Sequence, residues 1–286
     1  MSRTHDCQPT LDDAGVLAFC KNGYMTLEAV VPDEVNRRTI AYLKGTKDHE
    51  PSAILREQWF LDAVILNPAV AGAVRSLLGK NFGIPVLMSL HRRQNPIKSA
   101  FGWHVDGGSK WRPSIEDLQV FYYPQDTPEE MGPTHLVPGS HLVPNSQRAM
   151  GHYGTLRHER STAARAGSIF ITMYRIWHRA SSGSATGVRE LLKYCYWRTA
   201  APQRDWPATP GFDPALADYS GPAAPFHEQF GDANAAAEMY MWLCGKHEHF
   251  RLMGGQSWPV PAGRIDEPYG FPEALRRTAA RANETA

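Results

Sequence analysis

Long apolar runs, an imbalance of charge and a cysteine framework are all missing from this sequence, and each absence removes a class of protein. No stretch approaches the roughly 18 consecutive apolar residues needed to cross a bilayer, so no membrane partner is expected. Thirty Lys and Arg against 29 Asp and Glu leave a net charge of +1, which gives no electrostatic case for nucleic acid or an anionic surface. The four cysteines (Cys7, Cys20, Cys195, Cys244) show no CxxC spacing, which argues against a zinc cluster and against a disulfide scaffold. The polar start, residues 1–13, has no signal-peptide core, so a cytoplasmic, reducing compartment is the expectation. No internal repeat or low-complexity tract is visible.

What is present is a chain of 286 residues rich in turn formers, with 24 Gly and 22 Pro. Its first third reads as helices. Thr10-Leu-Asp-Asp13 offers a capping oxygen and acids for a helix that stops at Asn22-Gly23. Residues 24–31 suit a short strand, Pro32-Asp-Glu34 opens a second helix that ends before Gly45, and residues 46–58 are polar and irregular. A third helix is expected from Pro68 to Leu78. From residue 84 the pattern turns to strands: 84–91, 118–123, 135–138, 168–173 and 189–199, with a polar loop at 92–99, a long exposed loop at 142–166 and a Ser/Gly turn at 181–187. Strands without intervening helices predict an antiparallel sandwich or barrel. The Ala/Pro-rich tail after residue 200 holds one helix around 235–244, with Asn234 as its expected cap. The expectation is one mainly β domain over 1–286: a core barrel at about 84–200, helical support over 1–83 and a C-terminal extension over 201–286.

The chemistry centres on Phe101-Gly-Trp-His-Val-Asp-Gly-Gly108. In an extended chain residues i and i+2 share a face, so His104 and Asp106 aim an imidazole and a carboxylate into one space. Those are two corners of the facial triad of two histidines and one carboxylate, which suits Fe(II) and leaves coordination positions open. His178 fits the third corner, since it follows an apolar strand beside Trp177. Eleven residues on, Arg189 begins the next strand. An arginine buried near a metal needs an anionic partner, and the distal carboxylate of a dicarboxylate such as 2-oxoglutarate would supply one.

In this order of residues the chain resembles the phytanoyl-CoA dioxygenase family of Fe(II)/2-oxoglutarate oxygenases over roughly residues 10–200. Asn22-Gly23-Tyr24 and Val31-Pro-Asp-Glu34 are similar to the family's N-terminal pattern. Gly132-Pro-Thr-His-Leu-Val-Pro-Gly-Ser-His141 is similar to its most diagnostic segment. The resemblance implies a double-stranded β-helix of jelly-roll (cupin-like) type. It implies iron held by His104, Asp106 and His178, O2 as co-reactant, and 2-oxoglutarate at Arg189 with Thr134 as a further contact. The product side would be succinate and CO2. Because Asp106 is present, hydroxylation or desaturation of a small organic substrate, such as a secondary-metabolite intermediate, is favoured over halogenation. Phe101 departs from the family, whose members often carry Gln three residues before the first His. The alternatives are a metal-binding jelly roll that has lost turnover and an iron dioxygenase that does not use 2-oxoglutarate.

Around this centre, Trp103, Trp111 and Phe101 are the candidates for lining the substrate pocket. His135 and His141 read as structural residues. Lys246-His-Glu-His249 reads as a helix end, where basic groups suit the dipole, and not as a second metal site. The tail helix is a candidate contact for a homodimer.

Overall fold

The computed structural model describes residues 3–47, 49–107, 112–143, 152–221 and 229–250. Helix α1, Asp13–Asn22, starts where the Asp12 side chain accepts from the amide of Gly15 at 2.8 Å and ends at Gly23 with φ 74°. After strand β2 (Tyr24–Leu27), helix α2 (Asp33–Lys44) begins with two acids in its first turn and has Lys44 in its last, matching the helix dipole. The segment expected to be irregular instead carries a 3-10 turn, Ser52–Arg56, and a short helix α3, Gln58–Phe60, that runs on as a π turn. Ile54, Leu55 and Phe60 are buried there, so packing overrides a polar local sequence. Helix α4, Pro68–Leu78, has Asn67 as its cap, Pro68 in its first turn and Gly79 beyond it.

Among the described residues no single helix is long and apolar enough to cross a membrane; α3 with its π turn and α4 pass such a test only as a pair bent by 63°. Both lie in the core, with Val64, Ile65, Val70, Val74 and Leu77 fully buried.

The main sheet is antiparallel throughout. Its order is β1 (Thr4–His5), β3 (Phe82–Gly83), β12 (Leu192–Trp197), β6 (Asp117–Tyr123), β9 (Ser168–Met173) and β2, with β4 (Ser89–Leu90) also paired to β12. A smaller sheet runs β10 (His178–Ala180), β7 (Thr134–Leu136), β8 (Arg160–Ser161), and β5 (Arg93–Ile97) pairs with β11 (Gly183–Arg189). Two facing antiparallel sheets of this kind make the expected double-stranded β-helix.

Period-two alternation gives the main sheet two different faces. Leu118, Val120 and Tyr122 of β6, Ile169 and Ile171 of β9, and Leu192, Tyr194 and Tyr196 of β12 join the core under the helices. The alternate residues Gln119, Phe121 and Lys193 face the smaller strands and the cavity between them.

Four local expectations change. Residues 84–91 hold only the two-residue β4, because Pro85 interrupts the run and Val86 and Leu87 are left 56% and 65% exposed. The polar segment 92–99 contains strand β5, and the expected turn at 181–187 is strand β11. Their ladder pairs Gly187 with Asn95 and Arg189 with Arg93, so backbone pairing, not side-chain apolarity, makes these strands. Asn234 lies inside helix α5, Gln229–Leu243, and is not its cap.

Two devices join the parts. Asp13 is fully buried, accepts two bonds from Arg204 at 2.8 and 2.7 Å, and also accepts from Trp206 Nε1 and Tyr240 Oη, fixing the C-terminal segment onto α1. Burial alone would raise the Asp13 pKa; Arg204 and Trp206 overcome that and hold it below its ordinary value. On the other side, His141 Nε2 donates to the carbonyl of Cys20 at 2.9 Å, and the amide of Gly139 donates to Asn22 O at 2.9 Å. The His141 ring lies so close to Gly23 that a Cβ there would sit 2.2 Å from its Nδ1. The end of α1 and the 132–141 segment are therefore built for each other.

Candidate metal centre

His104 and His178 face each other as an antiparallel bridge, with His104 N donating to His178 O at 3.1 Å and His178 N donating to His104 O at 2.9 Å. Their rings lie 4.4 Å apart, centroid to centroid. Asp106, two residues along the same extended segment, returns to the same face. Its carboxylate oxygens lie 3.4 Å from His178 Nε2 and 3.9 Å from His104 Nε2. One ligand atom from each of the three residues falls within 4.8 Å of the others.

The tautomers follow from the second hydrogen bond of each ring. His104 Nδ1 bonds the carbonyl of Gly102 at 2.9 Å and His178 Nδ1 bonds that of Ile176 at 3.0 Å. A carbonyl only accepts, so each Nδ1 carries a proton, and Nε2 is the nitrogen that each ring turns to the shared space. Burial lowers the His178 pKa against the opposing pull of Asp106, which keeps the ring neutral, as a ligand must be. Burial would raise the Asp106 pKa, but His178 and Lys193 hold it far below the usual carboxylate range. Gln119 Nε2 donates to Asp106 Oδ2 at 2.6 Å, and Lys193 Nζ contacts the same oxygen and lies 3.2 Å from His178 Nε2. Two imidazoles that turn Nε2 to one space and one fixed carboxylate are a donor set that fits Fe(II).

The 132–141 segment holds the strand that carries one of these ligands. β7 pairs with β10 so that Leu136 lies opposite His178 and Thr134 opposite Ala180. Ser140 Oγ accepts from the amide of Trp177 at 2.9 Å, and the amide of Val137 donates to Trp177 O at 2.9 Å. The segment thus holds Trp177-His178 on one side and α1 on the other.

A cavity of about 500 Å³ opens beside His104 and His178. Arg189 and Thr134 line it, as do Leu90, Phe121 and Leu191, with Phe101 at its mouth. Arg189 is 1% exposed, and its Nε and Nη1 have no hydrogen-bond partner among the described residues. Burial pulls its pKa down. A buried guanidinium with two unpaired nitrogens is costly unless an anion completes it.

One expectation about the pocket changes. Trp103 does not line the cavity. It packs with Val105, Val137, Leu156 and Trp177, under the guanidinium of Arg179 at 4.5 Å. The alternation that points His104 and Asp106 inward sends Trp103 and Val105 to the other side. Trp111 lies outside the described residues. Phe101 is 61% exposed, with Arg93 4.9 Å above its ring.

The sequence reading passes over Gln119, Lys193 and His91, and it sets Arg93 in a solvated loop where the structure has strand β5. In Leu192-Lys-Tyr-Cys-Tyr-Trp197, the alternation that buries Leu192, Tyr194 and Tyr196 puts Lys193 on the opposite face, and a lysine so placed is the available signal. Lys193 pairs with Phe121 in the β12–β6 register, and its Nζ lies 5.2 Å from that ring. Burial, with the charges of Lys193 and Arg189, lowers the His91 pKa to about 4.

No family model matches the sequence, and no curated protein does. Solved structures do match in fold. HygX from Streptomyces hygroscopicus, solved with nickel and 2-oxoglutarate bound, aligns at TM-score 0.54 and 15% identity, over 66% of this chain and 88% of its own. The non-heme alpha-ketoglutarate-dependent epimerase SnoN from nogalamycin biosynthesis aligns at 0.51 and 17%, over 64% and 81%. The carbocyclase SnoK from the same biosynthesis aligns at 0.51 and 16%, over 70% and 90%. At these identities the likeness establishes the fold; the site must be argued from its own residues.

Proposed function

We propose that this chain is a non-haem Fe(II)/2-oxoglutarate-dependent oxygenase acting on a small organic molecule. The observation that carries the reading is Arg189: a buried guanidinium with unpaired Nε and Nη1, in a cavity also lined by the two histidines of the His104, Asp106, His178 cluster. The dicarboxylate-dependent proteins that share the fold support it. When bound, iron, 2-oxoglutarate and O2 supply the oxidising power to attack a C–H bond, with 2-oxoglutarate leaving as succinate and CO2.

The chain's own part is to bind, orient and exclude water. His104, Asp106 and His178 would hold the metal, with both imidazoles fixed by backbone carbonyls and Asp106 held by Gln119. Arg189 would take the distal carboxylate of 2-oxoglutarate in bidentate fashion, with the Thr134 hydroxyl as a further contact. Leu90, Phe121 and Leu191 give that end an apolar wall, which strengthens the ion pair by keeping water away. Hydroxylation or desaturation is the proposed outcome. The test is succinate production by the full chain, which should require added Fe(II), 2-oxoglutarate and O2 together. O2 uptake with Fe(II) but without 2-oxoglutarate would instead mark a dioxygenase of another kind.

One observation favours a second reading. The Lys193 ammonium contacts Asp106 and lies 3.2 Å from His178 Nε2, so a cation from the chain itself neutralises the carboxylate. On that reading the protein is a ligand-binding jelly roll without turnover. Calorimetric titration separates the two: the oxygenase reading requires tight Fe(II) or Co(II) binding that Asp106→Ala abolishes.

A further inference from the structure

The cavity carries more positive charge than the proposed metal and cosubstrate can neutralise. The charges of a divalent iron and a 2-oxoglutarate dianion cancel, and Asp106 cancels Arg189. Arg92 is accounted for by Glu190 at 2.8 Å and by the carbonyls of Leu43 and Thr46. Arg93 and Lys193 remain, both lining the cavity, and no carboxylate is among the residues that line it. Lys193 sits deep, against Asp106 and His178, whereas Arg93 stands beside Phe101 at the mouth.

Arg93 is the more telling of the two. Its Nη1 donates to the carbonyl of Ser181 at 2.7 Å, but it forms no ion pair among the described residues. In the β11–β5 ladder it lies directly opposite Arg189, and two like charges so placed repel. One dianion at Arg189 relieves half of that arrangement; a second anion at Arg93 would relieve the rest. Its half-buried guanidinium lines the cavity and lies above the exposed Phe101 ring, which orients it.

We infer that the organic substrate is itself an anion, a carboxylate or phosphate monoester, whose charged group is held by Arg93 at the cavity mouth while its carbon skeleton enters past Phe101. This rests on the metal and cosubstrate assignment above and adds the chemical class of the substrate to it.

The test uses the full chain loaded with Zn(II) and saturated with 2-oxoglutarate, and probes that differ only in charge: benzoate against benzamide, hexanoate against hexanamide, phenyl phosphate against phenol. Ligand-observed NMR gives each dissociation constant. The charged member of at least one pair should bind about tenfold or more tightly than its neutral twin, as a charge-assisted bond requires. Arg93→Gln, which keeps a donor for Ser181 O, should erase the preference and Arg93→Lys should restore part of it. Whether carboxylate or phosphate gains more identifies the group. Charged probes that bind no better than neutral ones, a preference that survives Arg93→Gln, or binding only when 2-oxoglutarate is absent would each overturn the inference. A titration with 2-oxoglutarate alone is run first. Failure there overturns the cosubstrate assignment with it, whereas normal 2-oxoglutarate binding with equal twins overturns this inference only.

Discussion

Replacing Arg189 by Met should move stability and cosubstrate binding in opposite directions. The side chain is 1% exposed and leaves Nε and Nη1 unpaired in the ligand-free fold. Removing a buried polar group that lacks partners recovers its desolvation penalty, about 1–3 kcal/mol, and Met fills the space with an apolar chain of similar length. The free variant should therefore melt a few degrees above the parent. Cosubstrate binding should suffer, because losing one partner of a buried, hydrogen-bonded charge pair costs about 2–5 kcal/mol, or roughly 30- to 5000-fold in affinity. At a hundredfold excess over its dissociation constant a ligand stabilises the folded state by about 2.7 kcal/mol, so 2-oxoglutarate should raise the melting temperature of the Zn(II)-loaded parent and shift that of the variant by about a third as much or less. Thermal melts of both proteins with and without 2-oxoglutarate read both effects at once. A variant that melts lower than the parent without ligand, or that keeps the ligand-induced shift, refutes the assignment of Arg189 as an anion site.

Three further outcomes follow from other parts of the structure. Gln119→Leu removes the 2.6 Å bond that orients Asp106, and metal affinity measured by Co(II) titration should fall about 10- to 100-fold; unchanged affinity would mean that Lys193 alone orients the carboxylate. Gly23→Ala places a Cβ 2.2 Å from His141 Nδ1 at φ +74°, and should cost about 2–5 kcal/mol in urea denaturation, from left-handed strain and overpacking combined. Recovery of part of that loss by adding His141→Ala would locate the clash. His141 is fully buried, and burial followed by the charge of Arg175 lowers its pKa from 6.5 to about 3. Between those values the unfolded chain binds a proton that the folded one does not, so stability is lost as pH falls below about 6.5, by up to ~1.4 kcal/mol per pH unit from this residue. His141→Gln should flatten that part of the urea-midpoint profile by one proton, and an unaltered slope would contradict the buried neutral ring.

Much of the site was legible because its geometry is local. His104 and Asp106 share a face by strand periodicity alone, whereas Arg189, expected to begin a strand, is the last residue of β11. Helix ends such as Asn22-Gly23 and the start at Pro68 were equally readable, since their chemistry is fixed within a turn. What was missed depends on partners distant in sequence. β5 has a polar sequence, and only its ladder to β11 makes it a strand. Gln119 and Lys193 reach Asp106 from two strands of the main sheet, over separations of 13 and 87 residues. Trp103 was misassigned for the opposite reason: proximity to the motif was allowed to outweigh the alternation that turns it away.

The main sheet explains why so short a list of polar residues carries the chemistry. Each of β6, β9 and β12 must satisfy two solvents at once, an apolar helical layer on one face and a polar cavity on the other. Tyr122 and Tyr196 meet the first demand while keeping their hydroxyls paired, to Asn36 at 2.7 Å and to Ile65 O at 2.7 Å. Gln119, Phe121 and Lys193 meet the second, one residue out of phase. A one-residue slip in β12 would bring Leu192 or Tyr194 to Asp106 and bury Lys193 among the helices, which its charge forbids. The lysine therefore helps to specify the register that places it, so stability of the sheet and the electrostatics of the metal centre are set by the same pairing.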